Sequence, residues 1–216
     1  MNQGFHFYTQ YALVELLGRK AATPGELLEG IRSVPVTSIY YHTHEFLKKH
    51  HYLVPQPPND FVLWLKDILH LERLGEAFLG VDTITFHSLE DLRAEFIRIL
   101  EDYISEGGFV AQCPSGYEFQ FMACRTFVLP TPYVAHDLAE FGQMLHKIGI
   151  HSLYFHVFEA RIRLGITEEN DFSAWLRGIG EEALAQEISQ LDPYYMTLEN
   201  LRSKLIGMVE NRVQGR

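Results

Sequence analysis

The chain has few cysteines, no basic excess and no long apolar run. Cys113 and Cys124 are its only cysteines and form no CxxC pair, so we expect two reduced thiols. Eighteen basic residues against twenty-eight acidic ones give a net charge of −10, which disfavours a nucleic acid partner. No stretch approaches the roughly 20 apolar residues of a membrane span, and the N-terminus lacks the pattern of a signal peptide. We therefore predict a cytoplasmic protein that binds neither nucleic acid nor membranes.

The familiar catalytic motifs are missing as well. The sequence contains no Walker loop, no GxGxxG after a strand, no GxSxG elbow and no HExxH. It also lacks low-complexity tracts, and its hydrophobic fraction of 47% is typical of an ordered globular chain. Composition therefore predicts a folded protein and leaves open whether it catalyses a reaction.

An internal repeat is the strongest pattern present. The stretch "SIYYHTHE" from Ser38 matches "SLYFHVFE" from Ser152 at a shift of 114 (156 − 42). Further along, "NDFVLWL" matches "NDFSAWL" at a shift of 111, and "LEDLR" matches "LENLR" at a shift of 109. Because these matches keep their order over nearly the whole chain, we interpret them as the duplication of a unit of about a hundred residues.

Each copy opens with a predicted strand. Alternating apolar residues favour strands at Phe5–Thr9 and Phe119–Ala123, although the second half of "FHFYTQYAL" also suits a helix. The stretch "GGFVAQCPSGYEF" predicts a hairpin that turns at Pro114–Gly116. A small antiparallel sheet follows from these patterns.

About four helices follow each predicted strand. Capping boxes begin at Thr23 and Asp137, and six further residues have the N-cap residue type just before an apolar-periodic stretch, namely Ser38, Ser152, Asn59, Asn170, Ser88 and Thr197. Trp64 and Trp175 belong to apolar stripes at i, i+3 and i+4, so we expect both to be largely buried.

The predicted fold is therefore mainly α with a small antiparallel β-sheet. It consists of two tandem, pseudo-twofold-related copies of a strand-plus-four-helix unit. The first copy covers residues 1–106, a hairpin or connector covers 107–118, and the second copy covers 119–216. We expect the two copies to form one compact domain.

Four histidines within fourteen positions, between Ser38 and His51, resemble a metal site at first sight. On a helix His42 and His44 are about 200° apart and cannot share an ion. His50 and His51 lie near the predicted helix end, where cationic side chains suit the dipole. Three of the four are therefore expected at the surface, whereas His42 lies on an apolar face, as does its copy His156.

Six polar residues recur in both copies without an N-cap explanation: His42, His156, Glu45, Glu159, Arg93 and Arg202. They predict either a buried polar network that fixes helix packing or a ligand site. In a second interpretation His42, Glu45, His156 and Glu159 converge and bind zinc, iron or manganese. No cofactor is expected under the first interpretation, and a divalent metal is expected under the second.

The run from Phe5 to Phe61, "FHFYTQYALVELLGRK…YLVPQPPNDF", resembles an uncharacterised bacterial family, domain of unknown function 5752. Relatives of this type occur near or fused to glycosyltransferase-type sugar enzymes, so the resemblance implies a carbohydrate-metabolism context. It carries over no catalytic residue.

Two functions follow as hypotheses. The first is a non-catalytic accessory module that binds a protein partner or a small, sugar-derived ligand. The alternative is a metal-dependent enzyme that uses the duplicated His-x-x-Glu pairs. The oligomeric state, the ligand and the biological process are not determined by the sequence.

Overall fold

A computed structural model describes residues 4–45, 59–83, 86, 88–160, 169–191 and 196–215. The protein is mainly helical, with 59% of the described residues in helices, and its two strands form an antiparallel sheet. The first half contains β1 (Phe5–Ala21), α1 (Pro24–Ser33), α2 (Val36–Tyr40), α3 (Asp60–Leu63), α4 (Glu72–Leu79) and α5 (Leu89–Ser105). Two of these helices are continued by π-helical segments, α2 by Tyr41–Glu45 and α3 by Trp64–Ile68.

The second half presents a similar series. It contains β2 (Phe119–Ala135), α6 (Leu138–Lys147), α7 (Ile150–Tyr154, continued by a π-helical segment Phe155–Glu159), α8 (Asp171–Gly178), α9 (Glu182–Ser189) and α10 (Leu198–Gln214). Helices α1 and α6 each have 10 residues, α4 and α9 each have 8, and α5 and α10 each have 17.

Both strands are longer than the sequence pattern predicted. Each has 17 residues, so the second half of "FHFYTQYAL" continues as strand rather than winding into helix. The physical reason is pairing, since β1 and β2 are hydrogen-bonded to each other and satisfy each other's backbone groups.

The predicted hairpin at residues 107–118 is wrong in one respect. The turn exists, because the Tyr117 N–H donates to the Pro114 carbonyl at 3.1 Å and Gly116 has a φ of +91°. Residues 109–114, however, form no strand, and Cys113 N–H bonds instead to the Ala22 carbonyl at 2.8 Å. The antiparallel partner of β2 is β1, which lies far away in sequence.

Most predicted N-caps are confirmed. The side chains of Thr23, Asp137, Asn59, Asn170, Ser88 and Thr197 each accept a hydrogen bond from the backbone N–H three residues later. The prediction for Ser38 and Ser152 is wrong, because α2 and α7 begin two residues before these serines, after Pro35 and Gly149. Both serines are instead buried within the first helical turn.

The chain folds into two compact units, each built around its own core. Among the described residues, unit 1 contains 4–11 and those from 126 onward, and unit 2 contains 12–45 and those from 59 to 125. Each strand therefore contributes to both units. The sequence boundaries predicted at 106 and 119 stay predictions about the repeat, because the compact units divide the chain at other points.

The core of unit 1 receives its strand residues from the N-terminus. Phe5 and Phe7 are buried among α6 and α8, where Phe7 stacks on Phe141 at 5.7 Å and Phe5 meets Phe172 at 5.5 Å. Apolar burial of this extent is the main stabilising contribution to such a core.

The core of unit 2 is completed by the start of β2. Phe119 stacks on Phe61 at 5.1 Å, and Phe121 is fully buried beside Gly30. A Cβ atom at Gly30 would lie 2.1 Å from the Phe121 ring, so only glycine permits this approach. In both units, helices from one half of the sequence therefore bury strand residues from the other half.

Candidate functional site

His156 joins α7 to the first strand in unit 1. Its Nδ1 donates to Asp171 Oδ2 at 2.8 Å, and its Nε2 accepts from the Tyr8 backbone N–H at 2.8 Å. Ser152, one turn earlier on α7, donates its hydroxyl to the Tyr8 carbonyl at 2.6 Å. Both backbone groups of Tyr8 are thus bonded to side chains of one helix, an arrangement that we call the latch of unit 1.

His42 forms the corresponding latch of unit 2. Its Nδ1 lies 2.6 Å from Asp60 Oδ2, and its Nε2 accepts from the Met122 backbone N–H at 2.9 Å. Ser38, which corresponds to Ser152, has a buried hydroxyl with no hydrogen-bond partner among the described residues. The histidine contact is therefore common to the two units, and the serine contact is not.

These contacts assign the protonation state of the imidazoles. A ring nitrogen that accepts from a backbone N–H carries no proton, so each ring is neutral with its proton on Nδ1. Burial lowers the pKa of His42, against the opposing effect of the Asp60 carboxylate. Both nitrogens of each ring are therefore occupied, Nδ1 by a helix aspartate and Nε2 by a strand N–H, as expected of a satisfied structural network.

The predicted burial of the histidines is confirmed, but their carboxylate partners come from another helix. His42 and His156 are almost completely buried and bond to Asp60 and Asp171, the residues that open α3 and α8. Glu45 and Glu159 are also buried, at the ends of the π-helical segments that continue α2 and α7. π-Helical segments often accompany functional positions, since the extra residue reorients side chains.

The metal hypothesis requires two histidines that belong to different compact units: His42 lies in unit 2 and His156 in unit 1. Within the described ranges, no group of three or more His, Cys, Asp or Glu side chains is placed to hold a metal ion. A metal at either imidazole would also displace a strand N–H from Nε2. The metal-dependent enzyme stays an untested prediction that these contacts do not favour.

The remaining histidines of the opening cluster require one correction. His44 was expected at the surface, but it is buried, stacks on Tyr40 at 5.5 Å, and lies 2.8 Å from the Thr43 hydroxyl. Burial lowers the pKa of His44 to about 4. Both faces of this short helix are covered, so the 200° separation did not imply exposure. His50 and His51 lie outside the described residues.

The hydrogen bonds and ion pairs of the two repeated arginines do not involve the latch histidines. Arg202 on α10 donates to the carbonyls of Leu145 and Ile148, at 3.2 and 2.7 Å, where α6 ends. A cation at a helix C-terminus satisfies orphan carbonyls and suits the dipole. Arg93 forms an ion pair with Glu90 at 3.2 Å on its own helix. The arginines therefore have structural contacts, and Arg202 joins two helices of unit 1.

Cys113 and Cys124 are buried, and no disulfide joins them. Burial raises the pKa of the Cys113 thiol, with a smaller contribution from the Glu118 carboxylate. A raised pKa lowers the thiolate fraction at neutral pH, so Cys113 is poorly suited to act as a nucleophile.

Unit 1 contains an open groove beside its latch, with a volume of about 680 Å³. Phe5, Tyr8, Phe155 and Trp175 supply aromatic surface. The polar atoms come from His6, His156 and Asp171, and Gly4, Val128 and Ala174 complete the lining. Trp175 was expected to be largely buried, but it is only half-buried because its ring borders this groove.

Unit 2 contains a smaller groove at the equivalent position, with a volume of about 340 Å³. Its lining includes Asp60, Leu63, Trp64, Glu118 and Phe119, which align with the unit 1 residues Asp171, Ala174, Trp175, Gly4 and Phe5. In unit 2, Leu63 thus stands where unit 1 has Ala174, and Glu118 stands where unit 1 has Gly4. Trp64 is buried and donates its Nε1–H to the Tyr117 carbonyl at 2.8 Å.

Sequence reasoning missed Asp60 and Asp171 as partners of the histidines. The sequence does carry a signal for both aspartates, because "NDF" recurs from Asn59 and from Asn170. The N-cap role of the asparagines does not account for the aspartate that follows each of them. Tyr8 and Met122 could not have been found, since they contribute only backbone N–H groups. The grooves combine strand and helix residues that no local pattern links.

These features define a class of mainly helical protein in which a histidine–aspartate pair holds a strand in each of two compact units. The chain belongs to the family described as "Family of unknown function (DUF5752)", whose profile matches residues 2–210. The family expected from the sequence resemblance is therefore confirmed.

One solved structure is similar over nearly the whole chain. It is described as "The structure of OrfY from Thermoproteus tenax", with a TM-score of 0.75 and 26% sequence identity. The match covers 96% of this chain and 94% of that one. A comparison with curated proteins gives no significant match. None of the helices in the described ranges has the length and apolar character needed to cross a membrane.

Proposed function

We propose that the protein is a non-catalytic accessory module that binds a small molecule in the groove of unit 1. The observation that carries this proposal is the groove itself, an open cavity of about 680 Å³ with aromatic walls and a few polar groups. Small-molecule sites typically have this size and this mainly apolar lining.

The proposed architecture is two fused copies of a strand-plus-four-helix unit. It is supported by the equal lengths of most corresponding helices, α3 and α8 excepted, by the two histidine latches and by the two grooves at equivalent positions. Duplication followed by divergence would leave one groove open and the other reduced. The pseudo-twofold relation between the copies stays a prediction.

The contacts of the histidine support a non-catalytic role. A general base needs a lone pair within reach of the proton that it removes. The lone pair of His156 Nε2 accepts instead from the Tyr8 N–H, although the residue lines the groove. Asp171, at the same wall, holds the other nitrogen.

The ligand class that we propose is a sugar-derived molecule in a carbohydrate-metabolism context. Aromatic side chains such as Tyr8 and Trp175 at the groove suit the C–H faces of a pyranose ring, and the Asp171 carboxylate suits its hydroxyl groups. The context itself comes from the family resemblance.

Trp175 provides the test, because it borders the groove while Trp64 is buried in the other unit. In a Trp64→Phe variant Trp175 is the sole tryptophan. We expect its fluorescence to change saturably with at least one member of a panel of neutral mono- and disaccharides and aryl glycosides. Isothermal titration calorimetry should give the same Kd and one site per chain.

Ala174→Leu supplies the matched disruption, because leucine already occupies the equivalent position 63. This variant should fold normally and lose binding, whereas Leu63→Ala should bind as the wild type does. Sugar binding that survives Ala174→Leu would place the ligand elsewhere. No saturable response to any sugar would overturn the proposed ligand class.

A further inference from the structure

We propose that ligand access to the unit 1 groove is regulated by a proton-sensitive latch: neutral His156 holds the first strand in place, and its protonation releases the strand and dismantles the groove. The regulatory role depends on the proposed function. The latch itself is tested without any ligand, so the two proposals fail separately.

The latch acts on a single strand residue. Tyr8 receives a hydrogen bond from Ser152 on its carbonyl and donates one from its N–H to His156 Nε2, at 2.6 and 2.8 Å. Thr131 on β2 donates to the Phe7 carbonyl at 2.7 Å. The first strand is thus held to α7 largely through side chains, and the part of the chain that the structure describes places no third strand beside it.

The groove and the latch share their residues. Phe5 and Tyr8 from the strand and His156 and Asp171 from the helices all line the groove. Phe5 also packs against Trp175 with ring centroids 5.6 Å apart. If residues 5–8 leave α7, the groove loses one wall and Trp175 loses the Phe5 ring, while its stacking on Phe141 remains.

Proton uptake opposes the latch directly. A neutral imidazole offers one donor and one acceptor, and here Asp171 and Tyr8 use both. Protonation turns Nε2 into a second donor that faces the Tyr8 N–H, so the contact becomes a repulsion between two donors. The latch of unit 2 has the same donor and acceptor arrangement around His42.

Among the described residues, the groups that face the His156 ring come from the first strand, from α8 and from its own helix. The strand contributes the Phe5 and Phe7 rings and the Tyr8 N–H, and α8 contributes the Asp171 carboxylate and the Phe172 ring. On its own helix the ring meets Phe155, and Glu159 lies one turn further along. The carboxylates favour the protonated ring, whereas the apolar rings and the Tyr8 N–H favour the neutral one.

Amide hydrogen exchange of the full-length protein tests the latch. We expect protection of residues 5–8, corrected for intrinsic exchange, to be level near pH 7.5 and to fall by about tenfold per pH unit below about pH 6.5, the ordinary histidine pKa, where the released imidazole takes up a proton and the latched one does not. The amides of α10 should stay protected, and Trp175 emission in the Trp64→Phe variant should shift to longer wavelength. Parallel loss of protection in α10 would mean global unfolding and would overturn the proposal.

His156→Gln removes the titrating group and keeps a carbonyl oxygen that can accept from Tyr8. Protection of residues 5–8 in this variant should be independent of pH, while His42→Gln and His6→Gln should retain the wild-type pH dependence there. A pH-dependent release that persists in His156→Gln would contradict the latch. Should that variant fold poorly, histidine side-chain ¹⁵N shifts of the wild type decide, since His156 protonation must coincide with strand release.

Discussion

The two compact units use the same local devices and differ in how fully they use them. In unit 1 Ser152 and His156 bind both backbone groups of one strand residue, whereas in unit 2 His42 binds one N–H and the Ser38 hydroxyl has no partner among the described residues. The unit 1 groove is also twice as large, about 680 against 340 Å³. The histidine–aspartate pair is thus the shared structural element, and the groove is where the units diverge.

The largest expected difference concerns the two tryptophans. Trp64 is buried and hydrogen-bonded, so Trp64→Ala should lower the free energy of unfolding by about 3–5 kcal/mol. Trp175→Ala should cost clearly less, because its ring is already partly exposed at the groove. Urea unfolding of both variants measures the difference. Equal losses in the free energy of unfolding would show that the partly exposed Trp175 ring contributes as much to packing as the buried Trp64 ring.

The second prediction concerns acid stability and His44, whose counterpart in unit 1 is Phe158. Burial holds the pKa of His44 at about 4, below its usual 6.5, so the unfolded chain takes up the proton first. The contribution of neutral, buried His44 to the free energy of unfolding is therefore fully present above pH 6.5. It is lost as the pH falls toward 4, by about 3 kcal/mol in total.

His44→Phe tests the contribution of His44 to the pH dependence of stability. Phenylalanine suits this position, because its counterpart Phe158 stacks on Tyr154 at 4.6 Å in unit 1. The variant should lose less stability than the wild type between pH 7.5 and 4.5, as measured by urea unfolding at each pH. Burial also lowers the pKa of His42, so part of the acid sensitivity should remain. An identical pH dependence in wild type and variant would contradict the assignment to His44.

The smallest expected effect distinguishes the two serines. Ser152→Ala removes the donor to the buried Tyr8 carbonyl and should cost about 1 kcal/mol. Ser38→Ala should be neutral or slightly stabilising, because the hydroxyl that it removes is buried without a hydrogen bond. Thermal unfolding of the pair is the measurement. A larger loss for Ser38→Ala would reveal a contact of that hydroxyl outside the described residues.

The sequence by itself determined what depends on neighbours in the chain. Capping residues such as Thr23 and Asn59 act over three positions, so the helix starts followed from residue type and spacing. The apolar stripe correctly placed Phe61 and Leu65 in a core, and the apolar face of α2 placed His42 there. The small antiparallel sheet and the family were likewise within its reach.

The tertiary structure alone decided which distant residues meet. Alternation can mark Phe5 and Phe119 as strand residues, but it carries no information about which helices bury them, and each packs on helices from the other half of the sequence. For the same reason the sequence could not show that His156 bonds to Asp171 and to a backbone N–H of Tyr8, 148 positions away. Backbone groups and long-range packing leave no residue signature, because every amino acid except proline offers the same N–H.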